Sequence, residues 1–513
     1  MMRLMPQLVP DWPKLAWVAH FAEGSDEIGV LHGPMVETAD DWVVEAVWDG
    51  DFAAGDFDRT DLVFGTGIRI REGDVFFVSS GTTLDRLWHC RKDGKTFVSN
   101  SLPAVLGTTG LSLQDDYTEY SRDFYTIQRG LDWYCREFRT IQEPTSCTAF
   151  HNCVYRGCHL EDASKPDKAP SFESYEDYRR FLVMTAERIG ANLTSPRRTC
   201  CVTPLATISS GYDSSAAAAV AKWAGCARAV TIRRSSSLWR GSDSGEPVAR
   251  ALGLSCQSYP RSAPSYPFEG TFWACTGRPA DINISLFDYP EPLACLFTGY
   301  HGDKVWGIEA QDHADPFAGA GYSGRGFAEF RLHRGFFHCC VPFWGYRRAH
   351  QIQAISRREE MRPWTLQRKY DRPIPRRILE ELGVPRGAFG MRKKNTSLEV
   401  RFRWPYSTEA RESFAAYLAD RGMGAPSPVK LWLMRRSDRA YTLFHLNAPS
   451  VIRTRWRRKL WAGVTAQSLL FQWANHALKT RYCEALVAAN LEASTELRTC
   501  TPATSARMEG PRS

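Results

Sequence analysis

Over its 513 residues the chain has no stretch approaching the roughly 18–20 uninterrupted apolar residues that a bilayer crossing demands. Residues 1–11 also lack a basic flank leading into an apolar run. These two absences exclude a membrane helix and an export signal, and predict a soluble, cytoplasmic protein. There is no CxxC pair and no Cys/His cluster at zinc-ligand spacing, which excludes a structural zinc module. The fifteen cysteines, from Cys90 to Cys500, are an odd set and read as free, mostly buried thiols in a reducing compartment. Charge of one sign is scarce as well: 65 Lys+Arg against 57 Asp+Glu leave a net +8, too thin an excess to predict a nucleic-acid partner. The densest basic run, Arg453, Arg455, Arg457, Arg458 and Lys459 with Trp456 and Trp461 among them, leads into a helical pattern and reads as a solvated helix face. No internal repeat is present, so a solenoid is excluded.

What the chain does contain is ordinary globular composition, 43% hydrophobic and 12% aromatic, at a length that predicts two or more domains. Residues 1–165 read as a β-rich domain, with strands over 27–31, 42–48, 75–78 and 96–98 and hairpin turns at Asp49-Gly50 and Asp93-Gly94. The stretch 161–170, EDASKPDKAP, reads as a linker. Ser174 and Asp177 then form a capping-box start for a helix carrying Tyr178, Phe181, Leu182, Ile189 and Leu193. Strand 200–208, helix 213–223, strand 229–232 and helix 244–252 follow, closed by Gly253. This alternation predicts an α/β domain with a parallel sheet over 166–450, mainly helical beyond residue 325. A last helical pattern carries Leu470, Trp473, Ala477, Thr480 and Val487, so 451–513 read as a helical extension with a polar, frayed tail.

Chemistry concentrates at the junction of the first parallel strand and its helix, Thr207-Ile208-Ser209-Ser210-Gly211-Tyr212-Asp213-Ser214-Ser215. The carboxyl edge of such a sheet is where ligands bind, and free N–H groups at a helix start favour an anion. Ser209, Ser214 and Ser215 add hydroxyls, Gly211 permits a tight turn, and Asp213 stands where it could hold a Mg²⁺ carrying a polyphosphate. The same residues also make an ordinary helix cap that binds nothing.

This segment resembles the SGGxDSS signature of the PP-loop ATP pyrophosphatases, and more closely the synthetase half of the asparagine synthetase family. A second segment, Thr298-Gly299-Tyr300-His301-Gly302-Asp303-Lys304-Val305-Trp306-Gly307, resembles that family's SGEGSDExFGG loop, and Gly241–Glu246 with Ala249–Leu254 resembles its second helix. Phe97–Leu106 resembles the strand-to-helix passage of the family's amidotransferase-like, Ntn-type domain. The likeness covers most of residues 25–410 and extends to β-lactam synthetases and lasso-peptide cyclases. It implies an ATP site formed by Ser209, Ser210, Gly211, Tyr212, Asp213, Ser214, Ser215, Gly299 and Gly302, with Thr231 and Ile232 beside the base. Asp213 and Asp303 would be Mg²⁺ ligands, and Lys393 or Lys394 a catalytic lysine near the reacting centre.

The expected reaction activates a small-molecule or peptide carboxylate as an acyl-adenylate, releasing pyrophosphate, and passes the acyl group to an amine or ammonia. No nucleic-acid or membrane partner is expected, and a homodimer is compatible with this reading. Three departures stand out: Ser210 replaces a signature glycine, Lys304 replaces a glutamate, and residue 2 is Met2 where glutamine-hydrolysing members carry a nucleophilic cysteine. The expectation is therefore a ligase without its own glutamine hydrolysis; the alternative is a degenerate, non-catalytic member that binds a nucleotide or peptide. His301 reads either as a general base or as a loop histidine, and Asp281, Asp288 and Glu291 either as amine contacts or as caps and turns.

Overall fold

A computed structural model describes residues 2–233, 242–262, 266–279, 281–308, 315, 317–319, 324–368, 370–391, 404–447 and 466–489. The first 165 residues build two sheets. One has seven strands in the order 3–8, 27–32, 17–22, 95–99, 87–92, 145–148, 137–138; only its first pair is parallel. The other has six antiparallel strands in the order 159–163, 152–156, 74–78, 63–71, 42–48, 37–39. Alternating side chains from both sheets, including Trp17, Ile28, Val98, Val43, Ile68 and Phe77, fill the core between them. Asp93 and Gly94, with φ 50° and 70°, close a two-residue hairpin between strands 87–92 and 95–99, as the sequence predicts. Asp49-Gly50 closes none: the chain makes an excursion through residues 52–62 before strand Val63–Arg71 pairs with Trp42–Trp48.

The second sheet region is wholly parallel. Its strands, in chain order, are Val202–Thr207, Arg228–Ile232, Ser255–Tyr259, Leu293–Thr298 and Phe336–Cys340, and their spatial order is third, second, first, fourth, fifth. The strand order reverses between the first and fourth strands, so a crevice opens at their carboxyl ends. The helix Tyr212–Trp223 leaves the first strand and packs a buried run, Ala216 to Ala221, in which five of six side chains are alanine. Such small side chains let it sit close to the sheet and to the helix Tyr175–Leu193, whose capping box at Ser174 and Asp177 forms as expected.

One expectation needs correction and two need additions. The region beyond 325 is mainly helical, but it also holds Phe336–Cys340, a fully buried strand whose sequence, Phe-Phe-His-Cys-Cys, carries no apolar–polar alternation to mark it. The 161–170 stretch is not a free linker, because Glu161–Ala163 belong to strand His159–Ala163 and Lys165 is buried, donating to the Ser79 carbonyl at 2.8 Å and to Asn152 Oδ1 at 2.5 Å. The helix Ala466–Ala488 is wedged between two cores. Phe471, Tyr482 and Leu486 join the core over the helix Leu102–Thr109, while Leu470, Trp473 and Ala474 join the one under the parallel sheet. The basic run 453–459 and the tail from Thr499 lie outside the described residues.

Buried charge stitches the two regions together. Arg331 donates to both carboxylate oxygens of Glu45 at 2.6 and 3.0 Å, and to Asp85 at 2.7 Å. Against the pull of burial, those carboxylates raise its pKa. Arg198 pairs with Glu37 at 2.5 Å, both side chains 2% exposed. Among the described residues no helix is long and apolar enough to cross a membrane, and every described cysteine is free.

Candidate functional site

The segment Ser209–Ser215 lies at the carboxyl end of the first strand, on the reversal crevice. Its fold is fixed locally by its own hydroxyls. Ser209 Oγ accepts from the Gly211 N–H at 3.1 Å and lies 2.7 Å from Ser214 Oγ, and Ser215 Oγ donates to the Ser209 carbonyl at 2.6 Å. Ser210 is tied to Asp243 twice, through its N–H to the carbonyl at 3.1 Å and through Oγ to Oδ1 at 2.7 Å. Ser210 is absent from the left-handed region, so replacing the signature glycine there carries no backbone strain. Gly211 is extended, with φ −82°; its use is space, since a Cβ would stand 3.2 Å from Ser209 Oγ.

The second loop meets the first at backbone contact. A Cβ on Gly299 would lie 2.2 Å from the Asp213 carbonyl carbon, and one on Gly302 would lie 2.6 Å from Asp213 Oδ1. Glycine at these two positions is what allows the carboxyl ends of the first and fourth strands to close on each other. Asp303 follows directly, exposed in the first turn of the short helix Gly302–Val305, with Lys304 half-buried beside it. The two loops are therefore brought together, with Asp303 next in the chain to the Gly302 contact.

His301 is not a surface base. It is 5% exposed, holds φ 73°, and shares a 2.5 Å hydrogen bond between Nε2 and Tyr346 Oη. Burial, with the charges of Arg325 and Lys304, pulls its pKa down to about 3, so it stays neutral. Thr231 is 1% exposed, and its hydroxyl accepts from the Gly245 N–H at 2.9 Å; Ile232 is buried in the core. Asp281 Oδ2 accepts from the Gly324 N–H at 2.7 Å, Asp288 faces Arg228, and Glu291 pairs with Lys14 and Arg334. These contacts of the three carboxylates are structural. Lys393 and Lys394 lie outside the described residues, but the chain leading to them is anchored here: the Gly390 N–H donates to the Ser210 carbonyl at 2.9 Å.

Two residues that sequence reasoning missed cross the loop. Tyr370 Oη sits 3.5 Å from the Tyr212 N–H, and Arg372 is ion-paired with Asp213. The Arg372 side chain is 5% exposed, and its Nη1 faces Asp213 Oδ1. Burial pulls the guanidinium pKa down to about 10, still charged at neutrality. Their only signal in the sequence is a Tyr-Asp-Arg-Pro run before the helix Pro373–Glu381, which reads as a turn.

Among the described residues no cluster of three or more His, Cys, Asp or Glu side chains forms a metal cage. Two acidic side chains from adjacent loops, with serine hydroxyls nearby, suit a Mg²⁺ that arrives on phosphates and keeps its waters, better than a resident ion. Compared with known proteins, the chain matches no protein-family model and no curated protein.

Proposed function

We propose that the chain is an ATP-dependent, amide-forming ligase of the asparagine-synthase type, with an amidotransferase-like first domain and a PP-loop second domain. The observation that carries this reading is the meeting of Ser209–Ser215 with Gly299–Asp303 at the strand-order reversal of the parallel sheet. A helix N-terminus, three serine hydroxyls and two carboxylates at that edge suit the tail of a nucleoside triphosphate. A carboxylate oxygen attacks the α-phosphorus and pyrophosphate leaves; an amine nitrogen then attacks the acyl carbonyl, loses a proton, and AMP leaves. Mg²⁺, held by Asp213 and Asp303, supplies charge neutralisation for the phosphates. The amine is taken as such: burial pushes the thiols of Cys90, Cys147 and Cys153 in the first domain up to about 12, 11 and 12, which suits no thiolate attack on glutamine.

The test is pyrophosphate release with Mg·ATP, a panel of carboxylates and an amine. Release that Asp213→Ala abolishes supports the ligase. A second reading, a degenerate member that binds nucleotide without turnover, is favoured by one observation, the engagement of Asp213 by Arg372. ATP binding without release under any substrate pair supports that alternative.

A further inference from the structure

The loop Ser209–Ser215 is already answered by the chain itself. Tyr370 brings its hydroxyl to the first N–H of the helix Tyr212–Trp223, the amide that an incoming phosphate oxygen needs, at the long distance of 3.5 Å. Two residues on, Arg372 meets Asp213, the carboxylate assigned to the metal, with its guanidinium 5.4 Å from the Tyr370 ring centroid. The two contacts come from one short segment. The amide contact is long, and the ion pair engages a single oxygen of Asp213, the Oδ1 that faces Gly302 of the second loop. A guanidinium carries five N–H donors, so one that meets a single carboxylate oxygen has donors to offer an oxyanion.

We propose that Tyr370 and Arg372 form a displaceable latch over the phosphate site: on nucleotide entry a phosphate oxygen replaces Tyr370 Oη at the Tyr212 amide, and Arg372 passes from Asp213 to the polyphosphate. This rests on the ligase reading above and names the residues that gate its site. Asp213 cannot serve Arg372 and a metal equally, so the latch exchanges one cation on that carboxylate for another. The desolvation cost of the guanidinium is met during folding, so the phosphate gains a cation that is already dehydrated and oriented.

The full-length chain is titrated calorimetrically with Mg·ATP and, separately, with inorganic pyrophosphate free of metal. Arg372→Met should weaken both ligands at least about tenfold, the effect of losing one charge-assisted hydrogen bond. Asp213→Asn should separate them: Mg·ATP weakens, while metal-free pyrophosphate tightens about threefold or more, because Arg372 is released from its carboxylate. Tyr370→Phe should tighten pyrophosphate about twofold to threefold by clearing the amide. Arg372→Lys, which keeps the charge without the fork, should fall between wild type and Arg372→Met, and thermal melting of each variant reports its fold. If Arg372→Met binds pyrophosphate as wild type does, or if Asp213→Asn weakens metal-free pyrophosphate, the latch is wrong while the ligase reading stands. Wild-type protein that binds neither Mg·ATP nor pyrophosphate overturns both together.

Discussion

Arg331 and Arg372 are both almost completely buried and both face carboxylates, yet the bonds around them differ in kind. Arg331, at the seam between the antiparallel sheets and the parallel sheet, spends three donors on Glu45 and Asp85 in well-formed hydrogen bonds. Glu45 is itself held by Thr66 at 2.6 Å and Asn100 at 3.1 Å. Arg372, at the edge of the parallel sheet, meets one oxygen of one carboxylate, Asp213 Oδ1. A buried arginine that spends three donors on two carboxylates is a fastening; one that meets a single oxygen keeps donors to spend. The number of carboxylate oxygens engaged, more than burial, separates the two cations.

The largest effect that sharpens this contrast comes from Arg331→Met. It leaves Glu45 and Asp85 buried without their cation, and should cost about 3–5 kcal/mol of stability, read as a lowered unfolding midpoint in urea. Pyrophosphate affinity of the molecules still folded should not move, because Arg331 lies in the seam. Gly299→Ala should behave in the opposite way. Its Cβ strikes the Asp213 backbone at 2.2 Å, so the two loops are forced apart at a cost of about 1–3 kcal/mol, and pyrophosphate release in the ligase assay should fall about a hundredfold.

Glu329, two residues before Arg331, gives the seam a pH dependence. Burial raises its pKa from 4.5 to about 8, and Ser101 Oγ donates to it at 2.9 Å. The folded chain then keeps a proton that the unfolded chain has released, so stability should fall as pH rises from about 4.5 to about 8 and level off above. Melting curves of Glu329→Gln across that range should show a shallower decline. The smallest change is Ser174→Ala, which removes the cap of the helix Tyr175–Leu193 and touches neither arginine's carboxylates. It should cost about 1 kcal/mol and leave both ligand affinities as they were.

Local signals carried much of the fold. The Asp93-Gly94 hairpin, the Ser174 capping box and the first two strands with the helix between them are each written within a dozen residues, and each forms where the sequence puts it. Asp49-Gly50 failed because a turn-forming pair does not decide which strand comes back to pair. Phe336–Cys340 escaped for a related reason: a strand buried on both sides has no polar face, so its pattern names neither period nor partner. The helix Ala466–Ala488 was legible as a helix, but its two packing partners were not, because they lie hundreds of residues away in the chain. At the site, the two loops were legible because glycines, serines and aspartates sit together in the chain. Arg372 was not, because what sets it apart is a carboxylate 159 positions away, which leaves no mark on neighbouring residues. The basis for His301 as a base fails similarly, since its ring pairs with Tyr346 and burial takes its proton.

The helix Ala466–Ala488 carries a further consequence. Its Lys479 reaches the carbonyls of Gly110 and Leu111, Asn475 the carbonyl of Ala274, and Gln472 that of Gln114. This piece leaves the ribosome more than 300 residues after residue 165, so residues 1–165 must wait, with part of their apolar surface bare, for the plug that covers it. Synthesis and folding are thereby coupled end to end: a chain cut short before residue 466 leaves an open seam in both halves, and neither sheet region is a module that can be lifted out intact.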